Sequence, residues 1–305
     1  MLQIATKQWT IRKLMKNAIR HLQSHDVPEP RLSVELLLSH ALHCQRIELY
    51  TNIDKPLNKQ ELATFRSLYE RRLAREPVQY IVGVAHFMGL PFIVDQRVLI
   101  PRPETETLVE QAIVRCNALE GEKMISILDV GSGSGNVAVS LAKFVKRCLV
   151  TSIDNSEQAL DVARQNARDH GVEEKIIFQH LDAFEPIDQL LRRRFHLLVS
   201  NPPYISTLEW ETLQPEVRDY EPREAVCDGA DGYELYRRLI ELAPYLLHEG
   251  GTVLVEVGDR MAFTVLSMMH DAGFYDLGVV RDLQGMERVV LGSCHSKVRN
   301  PIPIN

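Results

Sequence analysis

Cysteine is scarce in this chain, and what there is has no pattern. Cys44, Cys116, Cys148, Cys227 and Cys294 are odd in number, and no pair has metal-ligand spacing. This points away from a disulfide scaffold or a metal centre and towards reduced thiols in a cytoplasmic protein. The opening residues 1–7 lack the apolar stretch of a secretory signal. No apolar run is long enough to span a bilayer, so no membrane partner is expected. Positive charge is not in excess either: 35 Lys and Arg face 41 Asp and Glu, a formal net charge of -6. Phosphate neutralisation supplies much of the affinity of nucleic-acid binders, so this balance counts against a direct nucleic-acid partner. Two arginine groups, Arg71, Arg72 and Arg75, and Arg192, Arg193 and Arg194, read as solvated faces.

What is present is an ordinary globular balance, with 45% hydrophobic and 25% charged residues. That suffices for a sizeable core in one large or two modest domains. Residues from Thr10 to Arg75 read as helical. Ile11, Leu14, Met15, Ala18, Ile19 and Leu22 recur at three- and four-residue steps behind Thr10 as N-cap. Pro28 and Pro30 break the chain before a second helix marked by Val34, Leu37, Leu38, Ala41 and Leu42. Asn58 can cap a third, carrying Leu62, Phe65, Leu68, Tyr69 and Leu73. Near Pro77 the pattern changes. Tyr80-Ile81-Val82-Gly83 and Leu90-Pro91-Phe92-Ile93-Val94 predict the two strands of a hairpin.

After Pro103 strand and helix signals alternate. Strands are predicted at Ile125–Val130, Cys148–Ile153, Lys175–His180, His196–Ser200 and Gly251–Val257, with strand pieces at Asp276–Arg281 and Glu287–Leu291. Helices are predicted at Glu104–Ala118, Asn136–Phe144, Ser156–His170, Gly232–Leu247 and Met261–Ala272. This order predicts an α/β fold, a Rossmann-like, doubly wound and mostly parallel sheet with helices on both faces. The expected organisation is a helical domain over 1–75, a β-hairpin linker over 76–99, an α/β domain over 100–292 and a mobile polar tail over 293–305.

Asp129-Val130-Gly131-Ser132-Gly133-Ser134-Gly135 follows a predicted strand and opens a helix. In open α/β sheets ligands bind at the carboxyl ends of the strands, and glycines there let the backbone approach them. Glycine alternates here, whereas a dinucleotide fingerprint needs Gly-x-Gly-x-x-Gly, and no P-loop lysine follows. Asp154 lies about 20 residues on, at the end of the next strand, where a carboxylate can accept from both hydroxyls of a ribose. Its alternative role is to cap the helix that starts near Ser156. Asp182, after the third strand, stands beside the expected adenine pocket or is an ordinary loop carboxylate.

The most specific signal is Asn201-Pro202-Pro203-Tyr204, running directly out of the buried strand Leu197-Leu198-Val199-Ser200. These residue types suit methyl transfer to an NH2 group whose lone pair is delocalised into a carbonyl or a ring. The Asn201 side-chain oxygen and the Pro202 carbonyl can accept the two N–H bonds. Both acceptors strengthen as positive charge develops on the nitrogen. The prolines keep them aimed, and the Tyr204 ring can stack on the planar group. No metal is called for.

These residues resemble methyltransferases acting on exocyclic or amide nitrogens, and much of the chain resembles one family, the release-factor glutamine N5-methyltransferases. The resemblance is carried by Pro77-Val78-Gln79-Tyr80-Ile81-Val82-Gly83, Phe87-Met88-Gly89-Leu90 and Leu99-Ile100-Pro101-Arg102-Pro103-Glu104-Thr105-Glu106. It continues in Tyr220-Glu221-Pro222, Asp231-Gly232, Glu256-Val257-Gly258 and Asp282-Leu283-Gln284-Gly285-Met286-Glu287-Arg288-Val289. It implies a fold of the class I S-adenosylmethionine-dependent methyltransferase type. It implies S-adenosylmethionine as donor, S-adenosylhomocysteine as product, and the glutamine of the Gly-Gly-Gln loop of class I peptide chain release factors as acceptor. By the same resemblance Gly131, Ser132, Gly133, Ser134, Gly135, Asp154, Asp182, Ala183 and Asn201 contact the cofactor. Asn201, Pro202, Pro203 and Tyr204 hold the glutamine, and the small helical domain helps to dock its protein. The chain departs from the family pattern at Cys227-Asp228-Gly229-Ala230, Ala183 and Tyr233. Two other readings stand beside this one: a DNA adenine N6-methyltransferase, since an adenine NH2 poses the same chemical problem, and a non-catalytic cofactor-binding or docking module.

Overall fold

Thr10 begins the first helix as its sequence predicts. In the computed structural model, which describes residues 9–119, 121, 123–186, 190 and 194–297, Thr10 Oγ1 accepts from the Lys13 N–H at 3.4 Å. Helix α1 then runs Ile11–Gln23. Pro30 does not merely break the chain. It is the first residue of α2 (Pro30–Leu42), where a missing N–H costs nothing. Asn58 caps α4 (Lys59–Leu73), with Glu61 reaching back to the Asn58 N–H at 2.8 Å. A short helix α3 (Arg46–Thr51) lies between them. It has one buried apolar residue, Leu49, so no periodic signal announces it.

The chain divides into two compact units. One comprises Met1–Val84 together with Gln214–Tyr220. Its core gathers Ile11, Leu22, Val34, Leu37, Leu38 and Leu49 with Val78 and Ile81. The strand expected at Tyr80–Gly83 is instead the end of helix α5 (Val78–Val82), closed by Gly83 at φ +77°. Its apolar residues meet this helical core, and that packing outweighs their β-propensity.

The arginine group here is not a solvated face. Arg72 is 3% exposed and donates to Glu216 Oε1 at 2.9 Å, while Arg75 makes two bonds to the same carboxylate at 2.8 and 2.7 Å. Arg71 pairs with Glu76. A run of arginines becomes buried when a carboxylate far along the chain arrives to neutralise it, which local sequence cannot show. Arg192 and Arg193 lie outside the described residues. Arg194 donates to the Leu247 carbonyl at 2.7 Å.

The other unit, Ala85–Leu213 with Glu221–Asn305, holds the sheets. A two-stranded hairpin pairs β1 (Val84–Phe87) with β2 (Leu90–Ile93). Met88 and Gly89 form its turn, both at positive φ as a two-residue hairpin requires. The main sheet follows: β3 (Ile125–Val130), β4 (Cys148–Asp154), β5 (Ile176–His180), β6 (Phe195–Ser200), β7 (Leu247–Glu256), β8 (Tyr275–Arg281) and β9 (Glu287–Ser293). Its order is β5-β4-β3-β6-β7-β9-β8. The first five run parallel, and β9 pairs antiparallel with both β7 and β8. This is the class I methyltransferase arrangement, with Ile127, Leu128, Leu198, Val199 and Leu254 fully buried between helical layers. Ser293 is the last residue of β9, and beyond it Lys297 N–H donates to the Pro244 carbonyl at 2.8 Å. Of the tail expected to be mobile, residues 298–305 lie outside the described residues.

Among the described residues no helix is long and apolar enough to cross a membrane. No cluster of three or more His, Cys, Asp or Glu there could hold a metal ion.

Candidate active site

Strand order decides where the site lies. From β3 the chain moves outward to β4 and β5, then returns to place β6 on the other side of β3. The crevice at the carboxyl ends of β3 and β6 is the topological switch point. The glycine loop leaves one of these strands and Asn201 leaves the other. Val130 and Ser200 are register partners, and the Ser200 hydroxyl donates to the Val130 carbonyl at 2.7 Å, closing the two strand ends together. A cleft of about 510 Å³ opens there, a size suited to a nucleoside-sized ligand.

Gly131, Gly133 and Ser134 line this cleft, whereas Ser132 and Gly135 are not among the lining residues. Ser132 is buried and shares a 2.5 Å bond with the Ser152 hydroxyl, which donates to Asp129 Oδ2 at 2.7 Å. Burial pushes the Asp129 carboxyl up to about 7, against the Ser152 bond that favours its charge. This buried line of side chains fastens the loop to β4. Gly135 serves packing: a Cβ there would meet Ala163 at 3.0 Å, so glycine lets the loop lie against helix Glu157–Asp169.

Asp154 lines the cleft and already supports both of its edges. Oδ2 accepts from the Gly133 N–H and Oδ1 from the Ser156 N–H, each at 2.9 Å. The cap of the following helix is Ser156 itself, accepting from Ala159. Each Asp154 oxygen keeps a further lone pair, as a ribose diol would need. Burial raises its pKa, and the two backbone bonds oppose that. Asp182 and Ala183 also line the cleft. Asp182 Oδ1 accepts from the Phe184 N–H at 2.8 Å, which turns the chain so that Phe184, 53% exposed, joins the wall. Sequence reasoning passed over Phe184; an aromatic next to the expected adenine wall was the signal available.

Asn201 and Pro203 line the cleft, while Pro202 is buried and Tyr204 does not contribute to the wall. Asn201 Nδ2 donates to Thr105 Oγ1 at 3.1 Å. Tyr204 packs against the hydrophobic core, and two glycines make its seat. A Cβ on Gly232 would come within 2.6 Å of the Tyr204 carbonyl oxygen, and one on Gly258 within 2.9 Å of its ring. The Asp231-Gly232 and Glu256-Val257-Gly258 segments are therefore explained by close approach to Tyr204. Burial raises the Tyr204 phenol to about 12, so it stays protonated.

Opposite, Arg102 and Pro101 line the cleft next to Thr105. Arg102 bonds Glu221 Oε1 at 2.6 Å, and the other Glu221 oxygen accepts from Ile100 N–H at 3.3 Å. Two segments over a hundred residues apart are thereby locked together. Arg97, Val98, Leu99 and Cys227-Asp228-Gly229 also line the cleft and were not singled out as site residues from sequence. Asp282 accepts from Met286 N–H at 3.0 Å and pairs with Arg288 at 3.2 Å, so the last shared segment closes the β8–β9 turn.

With this geometry in place, comparison with known proteins decides the family. Residues 13–83 match the model of the PrmC N-terminal domain, and residues 112–214 match that of the methyltransferase small domain. The release factor glutamine methyltransferase of Geobacter sulfurreducens is 45% identical over 93% of this chain and 96% of its own length. The chain belongs to the release factor glutamine methyltransferases. The Chlorobaculum tepidum member is also 45% identical, over 92% of this chain and 96% of its own. A crystal structure of a protein-(glutamine-N5) methyltransferase (release factor-specific) from Alicyclobacillus acidocaldarius is 30% identical, covers 67% of this chain and 99% of that one, and superposes with a TM-score of 0.43.

Proposed function

We propose that this protein transfers a methyl group from S-adenosylmethionine to the side-chain amide nitrogen, N5, of the Gly-Gly-Gln glutamine in class I peptide chain release factors, and so modulates translation termination in the cytoplasm. The observation that carries the reading is Asn201 at the switch point of a chain 45% identical, over nearly its full length, to relatives bearing that name. The DNA adenine reading is set aside, because the relatives that span the chain are named for release factors.

The cleft suits the donor. Asp154 offers lone pairs to a ribose, the backbone of Gly131–Gly133 allows close approach, and Asp182, Ala183 and Phe184 form a wall for a flat base. S-adenosylmethionine supplies a methyl group on a sulfonium sulfur, already a good electrophile. The protein's task is to orient a poor nucleophile. Asn201 Oδ1 and the Pro202 carbonyl accept the two amide N–H bonds and strengthen as the nitrogen gains positive charge. Pro203 lines the cleft beside them. Tyr204, partly buried and packed against the core, braces the loop that carries those acceptors, and its ring helps hold the flat amide.

The decisive experiment is mass spectrometry of a release factor incubated with the protein and S-adenosylmethionine. One methyl group on the glutamine of the Gly-Gly-Gln loop is expected; an unmodified glutamine would remove the reading. Asp154→Ala should weaken donor binding by about 2 kcal/mol, the worth of hydrogen bonds to a charged group. It should change the rate at saturation much less, because the ribose is remote from the moving methyl. Calorimetry that finds unchanged affinity would leave Asp154 with only its loop-bracing role. The same proposal gives the helical region a part in docking the release factor, since one amide offers too little surface for selectivity. Deleting residues 1–75 should then damage methylation of whole release factor far more than of a short Gly-Gly-Gln peptide. Equal loss on both would leave the helical region no docking role.

A further inference from the structure

We propose that Asn166 is a positioning residue for the methyl donor: its buried amide bolts the glycine loop to the end of the β-hairpin, so that two walls of the cleft are held as one. The proposal rests on the reading of the cleft as the donor site. Asn166 is the one polar side chain on the buried face of helix Glu157–Asp169; its buried neighbours there are alanines, Leu160 and Val162. It is 1% exposed. Asparagine is a poor helix former, and a buried amide is costly unless its hydrogen bonds are made. Here they are made, and all of them go to backbone in two distant segments. Oδ1 accepts from the Ile93 N–H at 2.8 Å. Nδ2 donates to the Ile93 carbonyl at 3.0 Å and to the Ser134 carbonyl at 2.8 Å.

Towards Ile93, the last residue of β2, the amide presents one acceptor and one donor, as the backbone of a neighbouring strand would. Its second N–H is left for Ser134, which lines the cleft in the glycine loop. Aspartate has no N–H to give to either carbonyl, and leucine can make none of the three bonds. The hairpin wall follows a few residues after Ile93, where Arg97, Val98 and Leu99 line the same cleft. The loop is thus held from two sides. Asp154 accepts from the Gly133 N–H at 2.9 Å, and Asn166 takes the Ser134 carbonyl.

A residue needed only to dock the hairpin would not require the bond to Ser134. The hairpin is already docked by other means. Phe92 is fully buried in the core that also contains Ala167. His170 Nε2 donates to the Pro91 carbonyl at 2.7 Å, and its ring lies 5.1 Å from that of Phe92. What Asn166 adds is the connection between hairpin and loop. Coupling of this kind is reciprocal: a ligand that steadies the loop also steadies the hairpin, and the Ile93 N–H reports it.

The test is calorimetry of the full chain with S-adenosylhomocysteine, together with hydrogen exchange at the hairpin with and without that ligand, below the unfolding temperature of each variant. Asn166→Leu keeps a similar volume and makes none of the bonds. It should raise the dissociation constant about tenfold, the net worth of one or two hydrogen bonds. The rate with donor and release factor both saturating should change little. His170→Phe removes a hairpin bond that does not reach the loop, so it should lower the melting temperature and leave the affinity unchanged. In the wild type, exchange of the Ile93 amide should slow when the ligand is added; in Asn166→Leu it should not respond. Wild-type affinity in Asn166→Leu, or an equal loss in His170→Phe, would make Asn166 a structural anchor only and overturn the proposal, with the donor site left standing. A wild type that binds no S-adenosylhomocysteine would remove the donor reading and this proposal with it. Should Asn166→Leu fail to fold, the wild-type exchange decides: an Ile93 amide indifferent to the ligand overturns the coupling.

Discussion

Asn201→Ala is expected to come close to abolishing methyl transfer while the protein stays folded. The side chain stands beyond the end of β6, lines the cleft, and has Thr105 as its hydrogen-bond partner. It takes no part in the hydrophobic clusters that hold the sheet. Its loss should therefore be felt in the transition state and not in stability. Removing one aimed polar group from a charge-developing transition state costs about 3 kcal/mol, a factor of roughly a hundred or more in rate. The amide nitrogen needs that acceptor more than an amine would, because its lone pair is tied into the carbonyl. Single-turnover rates with donor and release factor both saturating read the effect directly. An unchanged melting temperature with lost turnover is the expected pair of results. Near-normal turnover would mean that the acceptors lie elsewhere.

A second large effect is expected in stability. Glu216 is enclosed by Arg72 and Arg75 within the helical unit, at 2.9, 2.8 and 2.7 Å. Arg72 also donates to Ser33 Oγ and to the carbonyls of Glu76 and Pro28. Burial pulls the Arg72 guanidinium down in pKa, and Glu216 offsets this. Burial alone would raise Glu216, but its bonds to Arg75 and Arg72 outweigh that and hold it below its ordinary value of 4.5. Glu216→Ala would leave a guanidinium buried with no countercharge, at about 3 kcal/mol, the lower end for broken buried pairs because Arg75 is 25% exposed. Replacing Arg72 and Glu216 together by apolar residues of similar size should cost much less, since no lone charge remains. Urea unfolding measures both. A loss below about 1 kcal/mol for Glu216→Ala would mark the pair as an ordinary solvated one. The sign with pH follows from the depressed carboxyl. The stabilisation is complete above the unfolded value near 4.5 and is lost as pH falls below it through the folded value.

Glu216 also shows where sequence reading stops. Nothing local marks Gln214–Tyr220 as part of a helical unit whose other residues lie before Val84. The arginine run at 71–75 looks like a solvated face until its carboxylate is in place. Tyr80–Val82 shows the same limit on a smaller scale. Its residues favour a strand, and the helical core they pack into makes them a helix. Thr105 was passed over because a threonine at the start of a helix looks like any other until Asn201, nearly a hundred residues on, is brought against it.

What the sequence determined by itself was carried by short range. Strands β3 and β6 read as mostly apolar runs because parallel strands are covered on both faces. The Gly131–Gly135 loop, Asp154 and Asn201-Pro202-Pro203-Tyr204 each sit at a strand end, and strand ends are legible from where hydrophobic runs stop. Tertiary structure alone decided how those ends work together. It packed the partly buried Tyr204 against the core, with Gly232 and Gly258 giving it room. It gave Ser132 and Gly135 to the support of the loop, and it set Thr105 against Asn201. The physical reason is that a residue's type is fixed by the chemistry it must perform, whereas its partners are fixed by strand order and register, which join residues a hundred positions apart.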